Sequence, residues 1–331
     1  MPSIRLSVYP AAALRVSNGA NLGDALSWAD DLVPDDIYRL SPAARPQDIA
    51  VASGSALPFR IARGSDLGEP GHEVHLDCCV TFMSGAGEIT ECLVLVETDA
   101  DGGAAGVYAM PLAEMLPKTD YVLVGISTET ATQRYAQSVC TSFTAGTMIT
   151  LSSGAQKPVE ELTAGDRVLT RDDGPQPIRW IGHHTARATG NFAPIVIEAG
   201  TLNNARDLYV SPDHRLFIYQ RRDEIGAGRS ELLIRARHLI NGTTVRPAPG
   251  GFVDYYQMLF DTHQIIYAEG IAAESMLVNS QTKAALPDAL TDRLTTLLPG
   301  HKRSDISDLE IGEALRDHPD LVEMLRRSSS G

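Results

Sequence analysis

The sequence predicts a mostly β chain: a small β domain, a second all-β domain and a short helical tail. Three observations carry this. Between residues 73 and 280 the apolar runs are short, rich in Val, Ile, Thr and Tyr, and bounded by Gly, Pro or Asp. Helical spacing of apolar residues becomes sustained only beyond residue 287. At 331 residues the chain is long enough for two cores. The expected boundaries are 1–139 for an N-terminal β-rich domain, 140–283 for the second β domain and 284–331 for the tail.

The chain begins with a strand, IRLSVYP, and NLGDALSWADDL reads as a short helix capped near Asn21. The stretch through SPAARPQ and GSALPF is loop with short strands. EVHLDCCVTFM, ITECLVLVETD, GVYAMPL and YVLVGIST are strand-like runs joined by polar turns, as in a small antiparallel sheet or sandwich. Asp99, Asp101 and Gly102 resemble the start of a calcium loop. The position of the bidentate Glu of such a loop is Met110, so a hairpin turn is the better reading. ETATQRYAQSVCT is a short helix or linker. LPDALTDRLTTLL and DLEIGEALRDHPDLVEMLRR read as one or two helices before a mobile SSSG end.

The net charge of −14 argues against nucleic acid or an anionic membrane as partner. No apolar run approaches the roughly 20 residues of a membrane span. The N-terminal apolar stretch is broken by Pro10 and Asn18 and does not read as a signal peptide. A cytoplasmic location, or export by a non-classical route, is the expectation. Cys78, Cys79, Cys92 and Cys140 form neither a disulfide scaffold nor a C-x-x-C zinc pattern. The first three read as free thiols on strands. No cofactor or metal is expected.

Three blocks stand in order: Ser142 to Thr150 (SFTAGTMIT, continuing to VLTRDDGPQPIRWIG), Leu208 to Ile218 (LYVSPDHRLFI) and Phe260 to Leu277 (FDTHQIIYAEGIAAESML). Together they resemble the Hint family of hedgehog autoprocessing domains and inteins, most closely its bacterial members. The resemblance covers about 142–280 and implies a horseshoe-shaped all-β fold. It also implies a self-directed reaction. A side-chain hydroxyl or thiol attacks the carbonyl preceding it and converts an amide into an ester or thioester.

In that family pattern Ser142 takes the place of the nucleophile and Thr141–Ser142 is the scissile bond. Ser211 and His214 match the T-x-x-H motif, with Ser for Thr. An imidazole there can protonate the leaving nitrogen near neutral pH. Asp261 and His263 match a late D-x-H, and strand alternation would place both on one face. Cys140 is the rival nucleophile. It is the better one chemically, but lies about 6–7 Å away along an extended chain.

Inteins end in His-Asn, whose Asn cyclises to release the following segment. Here Glu274-Ser275 stands in its place, so cleavage without splicing is expected. The substrate would be the chain's own N-terminal segment, and the acceptor water or another nucleophile. The alternatives are a Hint fold that has become a binding or structural module, and a serine hydrolase acting in trans. The latter lacks a G-x-S-x-G elbow.

Overall fold

The computed structural model describes residues 3–52, 57–221, 223, 226, 228–278, 282, 286 and 320–329. The chain divides into two compact units, Met1–Ser138 with Asn279–Ala285 and Val139–Val278 with Leu286–Gly331. The helix expected at LPDALTDRLTTLL and the end of the SSSG run lie outside the described residues.

Among the described residues the first unit is a nine-stranded sheet. Its strands are β1 (Ser3–Pro10), β2 (Leu14–Asn18), β3 (Ile37–Leu40), β4 (Gln47–Ala52), β5 (Phe59–Arg60), β6 (Glu73–Ser84), β7 (Ile89–Thr98), β8 (Ala104–Pro111) and β9 (Tyr121–Ser127). The order is β2-β3-β9-β6-β7-β8-β1-β4, with β5 also on β6, and every pairing is antiparallel. Strand β7 is buried on both faces. Cys92 and Val94 join Val80, Phe82 and Tyr121 in one core, while Leu93 and Leu95 alternate to the other side. The four predicted strands fall on β6 to β9. In the turn between β7 and β8, Asp99 Oδ1 accepts the N–H groups of Asp101 (3.0 Å) and Gly103 (2.8 Å). The carboxylate is committed to its own turn.

NLGDALSWADDL is not a helix. Gly19 and Gly23 adopt φ of +132° and +93°, and the segment folds back on β2. Gly23 N–H donates to the Val16 carbonyl and Leu26 N–H to the Leu14 carbonyl, both at 2.9 Å. Only a 3-10 turn, Ala29–Asp31, follows. ETATQRYAQSVCT does contain a helix, Ala131–Val139.

The second unit holds β10 (Phe143–Thr144), β11 (Met148–Thr150), β12 (Gln156–Pro158), β13 (Arg167–Leu169), β14 (Pro175–Pro177), β15 (Trp180–Arg187), β16 (Ile195–Ile197), β17 (Leu208–Val210), β18 (Arg215–Tyr219), β19 (Glu231–Arg235), β20 (Val245–Pro247), β21 (Phe252–Leu259), β22 (Ile265–Ala268) and β23 (Ile271–Glu274). Among the described residues they form two six-stranded sheets, β15-β21-β10-β17-β16-β20 and β12-β11-β22-β23-β18-β19, beside the hairpin β13-β14. One apolar core joins them, Phe143, Val210, Leu216, Phe260 and Ile266 among its members. Fully burying each such side chain contributes about 1.5–3 kcal/mol.

Two local features explain sequence runs that first look arbitrary. In RWIG, a Cβ on Gly182 would stand 2.1 Å from the Trp180 ring, so glycine leaves room for the indole on its own strand. At AEGI, Glu269 and Gly270 have φ of +49° and +85° and close the two-residue hairpin between β22 and β23. Glutamate is an unusual residue there. Its carboxylate receives the Met148 N–H at 2.8 Å and the Arg206 guanidinium at 3.0 Å, which offsets the strain. The expected tail is also less separate than its sequence suggests. The helix Leu321–Ser329 buries Leu321, Val322 and Leu325 in the core of the second unit.

Candidate functional site

Ser142 directly precedes β10, a two-residue strand held between β17 and β21 by the pairings Phe143 with Val210 and Phe143 with Tyr256. Phe143 is the anchor. Its ring is buried in the core and meets the His214 ring edge-on, with centroids 4.4 Å apart. Ser142 is thereby drawn into the interior, 1% exposed.

The second block is a turn rather than a strand at its centre. His214 N–H donates to the Ser211 carbonyl at 3.0 Å, reversing the chain through Pro212 and Asp213. This brings Ser211 and His214 to the same peptide. Ser142 N–H donates to Ser211 Oγ, whose own proton goes to the Cys140 carbonyl, both at 3.0 Å. Ser211 N–H returns to the Ser142 carbonyl at 3.0 Å. The Ser211 hydroxyl thus fixes the backbone on both sides of Thr141. Thr141 Oγ1 reaches the Ser275 carbonyl at 3.4 Å.

His214 stands between two carbonyl oxygens, Nδ1 3.0 Å from that of Ser142 and Nε2 3.1 Å from that of Glu274. Burial lowers its pKa below the ordinary imidazole value and outweighs the two carbonyls, which favour the charged ring. The resting ring is neutral and donates to only one carbonyl at a time. Its contact is with the carbonyl of Ser142, one bond series beyond the leaving nitrogen of Thr141–Ser142.

Glu274 brings a buried carboxylate to the site. Its carboxylate is 1% exposed, 2.6 Å from Arg215 Nε and 2.8 Å from His263 Nε2. Burial pushes its pKa up, but the neighbouring Arg215 and then His263 hold it down at about 2. His263 Nε2 stands at ion-pair distance from the carboxylate without hydrogen-bond alignment.

Of the sequence candidates, Ser142, Ser211 and His214 converge. His263 lies beside Glu274, buried at 5% exposure. Asp261 does not join them. Residues 260–264 leave β21 through a bend, so strand alternation does not apply, and Asp261 turns outward. There it takes Arg179 in a bidentate pair, Nε to Oδ1 at 2.9 Å and Nη2 to Oδ2 at 2.6 Å. The expected common face of Asp261 and His263 is therefore corrected. Cys140 is fully buried, and burial pushes its thiol up to about 12, which removes the thiolate needed for attack. The other three cysteines are free and buried on β6 and β7.

Sequence reading missed Gln257, Arg215 and the side chain of Glu274. Gln257 Nε2 donates to Ser142 Oγ at 3.0 Å. A signal was present: Tyr255, Gln257 and Leu259 share the inward face of β21, where an amide between apolar neighbours is out of place. Among the described residues no group of His, Cys, Asp and Glu is arranged to hold a metal ion.

Similar solved structures include the DnaB intein from Synechocystis sp. PCC 6803, at 11% identity and TM-score 0.27 over 41% of this chain and 98% of that one. The gp41-1 intein aligns at 10% identity and TM-score 0.26, over 40% and 97%. The Ssp DnaB mini-intein variant M86 aligns at 11% and 0.27, over 42% and 97%. No curated protein matches the chain. Residues 141–280 match the family model described as Hint domain, a span that opens one residue before Ser142 and takes in all three blocks. The second unit carries a Hint domain.

Proposed function

We propose that this domain cleaves its own chain at Thr141–Ser142 by an N-to-O acyl shift, without splicing. Ser142 Oγ attacks the Thr141 carbonyl carbon, a C–O bond forms, and the C–N bond to Ser142 breaks. The proton leaving Oγ is replaced by an acyl group, and one proton is delivered to the freed nitrogen, so the shift needs no net proton. The observation that carries this reading is the convergence of Ser211, His214 and Gln257 on residue 142.

Each has a task. Ser211 holds the amide N–H, and His214 passes the proton, moving its contact from the Ser142 carbonyl to the nitrogen as the amide loses planarity. Gln257 orients Oγ. The Glu274-Ser275 pair supports the absence of splicing. Ser has no amide to cyclise, and Ser275 is tied to Gln264, N–H to carbonyl at 2.8 Å and Oγ accepting at 2.9 Å. The N-terminal segment is the substrate, and the ester then passes to water or another nucleophile.

One observation favours a second reading, a Hint fold retained as an inactive module. Ser142 Oγ receives the Gln257 N–H, and its own acceptor is the Cys140 carbonyl at 3.5 Å, which is no base. Mass spectrometry of the purified chain with and without hydroxylamine separates the two. Fragments ending at Thr141 and beginning at Ser142 support cleavage, and an intact chain under every condition supports the module.

A further inference from the structure

Buried imidazoles ordinarily have both ring nitrogens satisfied, because an unpartnered polar atom away from water costs about 1–3 kcal/mol. His263 departs from this. Its side chain is 0% exposed, Nε2 is 2.8 Å from Glu274 Oε1, and Nδ1 is buried with no hydrogen-bond partner among the described residues. Glu274 is fixed from the other side by Arg215 at 2.6 Å. One ring nitrogen thus stands at ion-pair distance from an immobile carboxylate, and the opposite nitrogen is left open.

This pair borders the scissile peptide through short links. The Glu274 carbonyl receives His214 Nε2, and the next residue, Ser275, offers its carbonyl to Thr141 Oγ1 and its N–H and Oγ to Gln264, the neighbour of His263. The acyl shift has its own groups in Ser211, His214 and Gln257, and none of these is His263. A second step remains, transfer of the acyl group from Ser142 Oγ to an acceptor. A hydroxyl acceptor must lose a proton as it attacks, which calls for a base. Asp261, the carboxylate of the D-x-H block, is engaged at the surface by Arg179.

We propose that His263 is the base for the acceptor step and that Glu274 is its positioning residue, so the site is built to pass its acyl group to water or another small hydroxyl compound. The inference rests on the acyl-shift reading. The acceptor O–H loses its proton to His263 Nδ1 as its oxygen bonds to the Thr141 carbonyl carbon. The bond from that carbon to Ser142 Oγ breaks, and the imidazolium returns the proton to Oγ. The Glu274 carboxylate stabilises the transient positive charge on the ring. Water as acceptor yields a free carboxyl at Thr141 and restores the Ser142 hydroxyl.

The test compares two acceptors in the full-length protein. Neutral hydroxylamine attacks through a free lone pair and needs no base, whereas water does. The readout is the ratio of hydroxylamine-driven to water-driven cleavage at Thr141, followed by intact mass. This ratio is independent of how much of a variant folds. Glu274→Gln and His263→Gln should each raise it, His263→Gln by roughly 10²–10⁴-fold, the span of general acid–base groups. Glu274→Asp, which keeps the charge, should return it toward wild type. A ratio unchanged in both Gln variants overturns the assignment, as does an equal rise for Glu274→Asp and Glu274→Gln. Absence of fragments from the wild-type chain even with hydroxylamine overturns the acyl shift itself and this inference with it, an outcome that the wild-type arm alone reveals.

Discussion

Glu274→Gln removes one buried charge and leaves the side-chain shape nearly unchanged. In the native domain the carboxyl is held at about 2, against 4.5 for an ordinary glutamate. A depressed folded value means that the native state prefers the ionised form. The stabilisation is complete above pH 4.5 and is lost as the pH falls through about 2. At about 1.4 kcal/mol per pKa unit, that gap corresponds to about 3 kcal/mol. The figure matches the low end of the roughly 3–5 kcal/mol lost when one partner of a buried ion pair is removed. The chain has two tryptophans, Trp28 and Trp180, one in each unit. In a Trp28→Phe background, Trp180 fluorescence during urea unfolding reports the second unit alone. The wild type should exceed Glu274→Gln by about 3 kcal/mol near neutral pH, and the difference should shrink toward zero as the pH approaches about 2. Parallel pH profiles, or a variant as stable as wild type at neutral pH, would refute the role given to the Arg215–Glu274–His263 cluster.

Three further outcomes follow from the same geometry. Asp213→Ala should cost about 1–3 kcal/mol, because the carboxylate is 8% exposed and holds Arg235 and Arg237, while the 30% and 38% exposure of those partners discounts the loss. Urea unfolding within 0.5 kcal/mol of wild type, about the spread of ordinary surface changes, would contradict that. His214 has a folded pKa below its unfolded value of 6.5, so the unfolded chain binds the extra proton and stability falls as the pH drops below 6.5. The slope from this group is at most about 1.4 kcal/mol per pH unit, and His214→Gln should flatten the profile there. Ser142→Cys should cleave faster than wild type, most of all with added thiol, since a thiolate attacks more readily and a thioester is more easily intercepted. A folded variant with no gain, read by intact mass, would favour the inactive module.

Much of the site was legible because its blocks are local. SFTAGT, VSPDH and the AES run each deliver a backbone or side-chain group to residue 142 or its neighbours, and the structure brings them together. What the sequence hid was conformation between the regular elements. Alternation fails at Asp261 and His263 because the chain bends after β21. In the first unit the apolar spacing of NLGDALSWADDL suits a helix, but Gly23 in the left-handed region and the bonds to β2 win instead. Glu274 was visible only as the loss of a splicing pair. Its partnership with Arg215 and His263 depends on sheet register, with β23 paired to both β18 and β22.

The proposed cleavage requires that Ser142 Oγ open the Thr141–Ser142 bond. Intact-mass measurement of the wild type and Ser142→Ala, each incubated with and without hydroxylamine, tests it most directly. The expected result is a pair of fragments meeting at Thr141 and Ser142 in the wild type, enhanced by hydroxylamine, and an intact, folded Ser142→Ala chain under both conditions. Cleavage that persists in Ser142→Ala, or moves to the bond before Cys140, would contradict it.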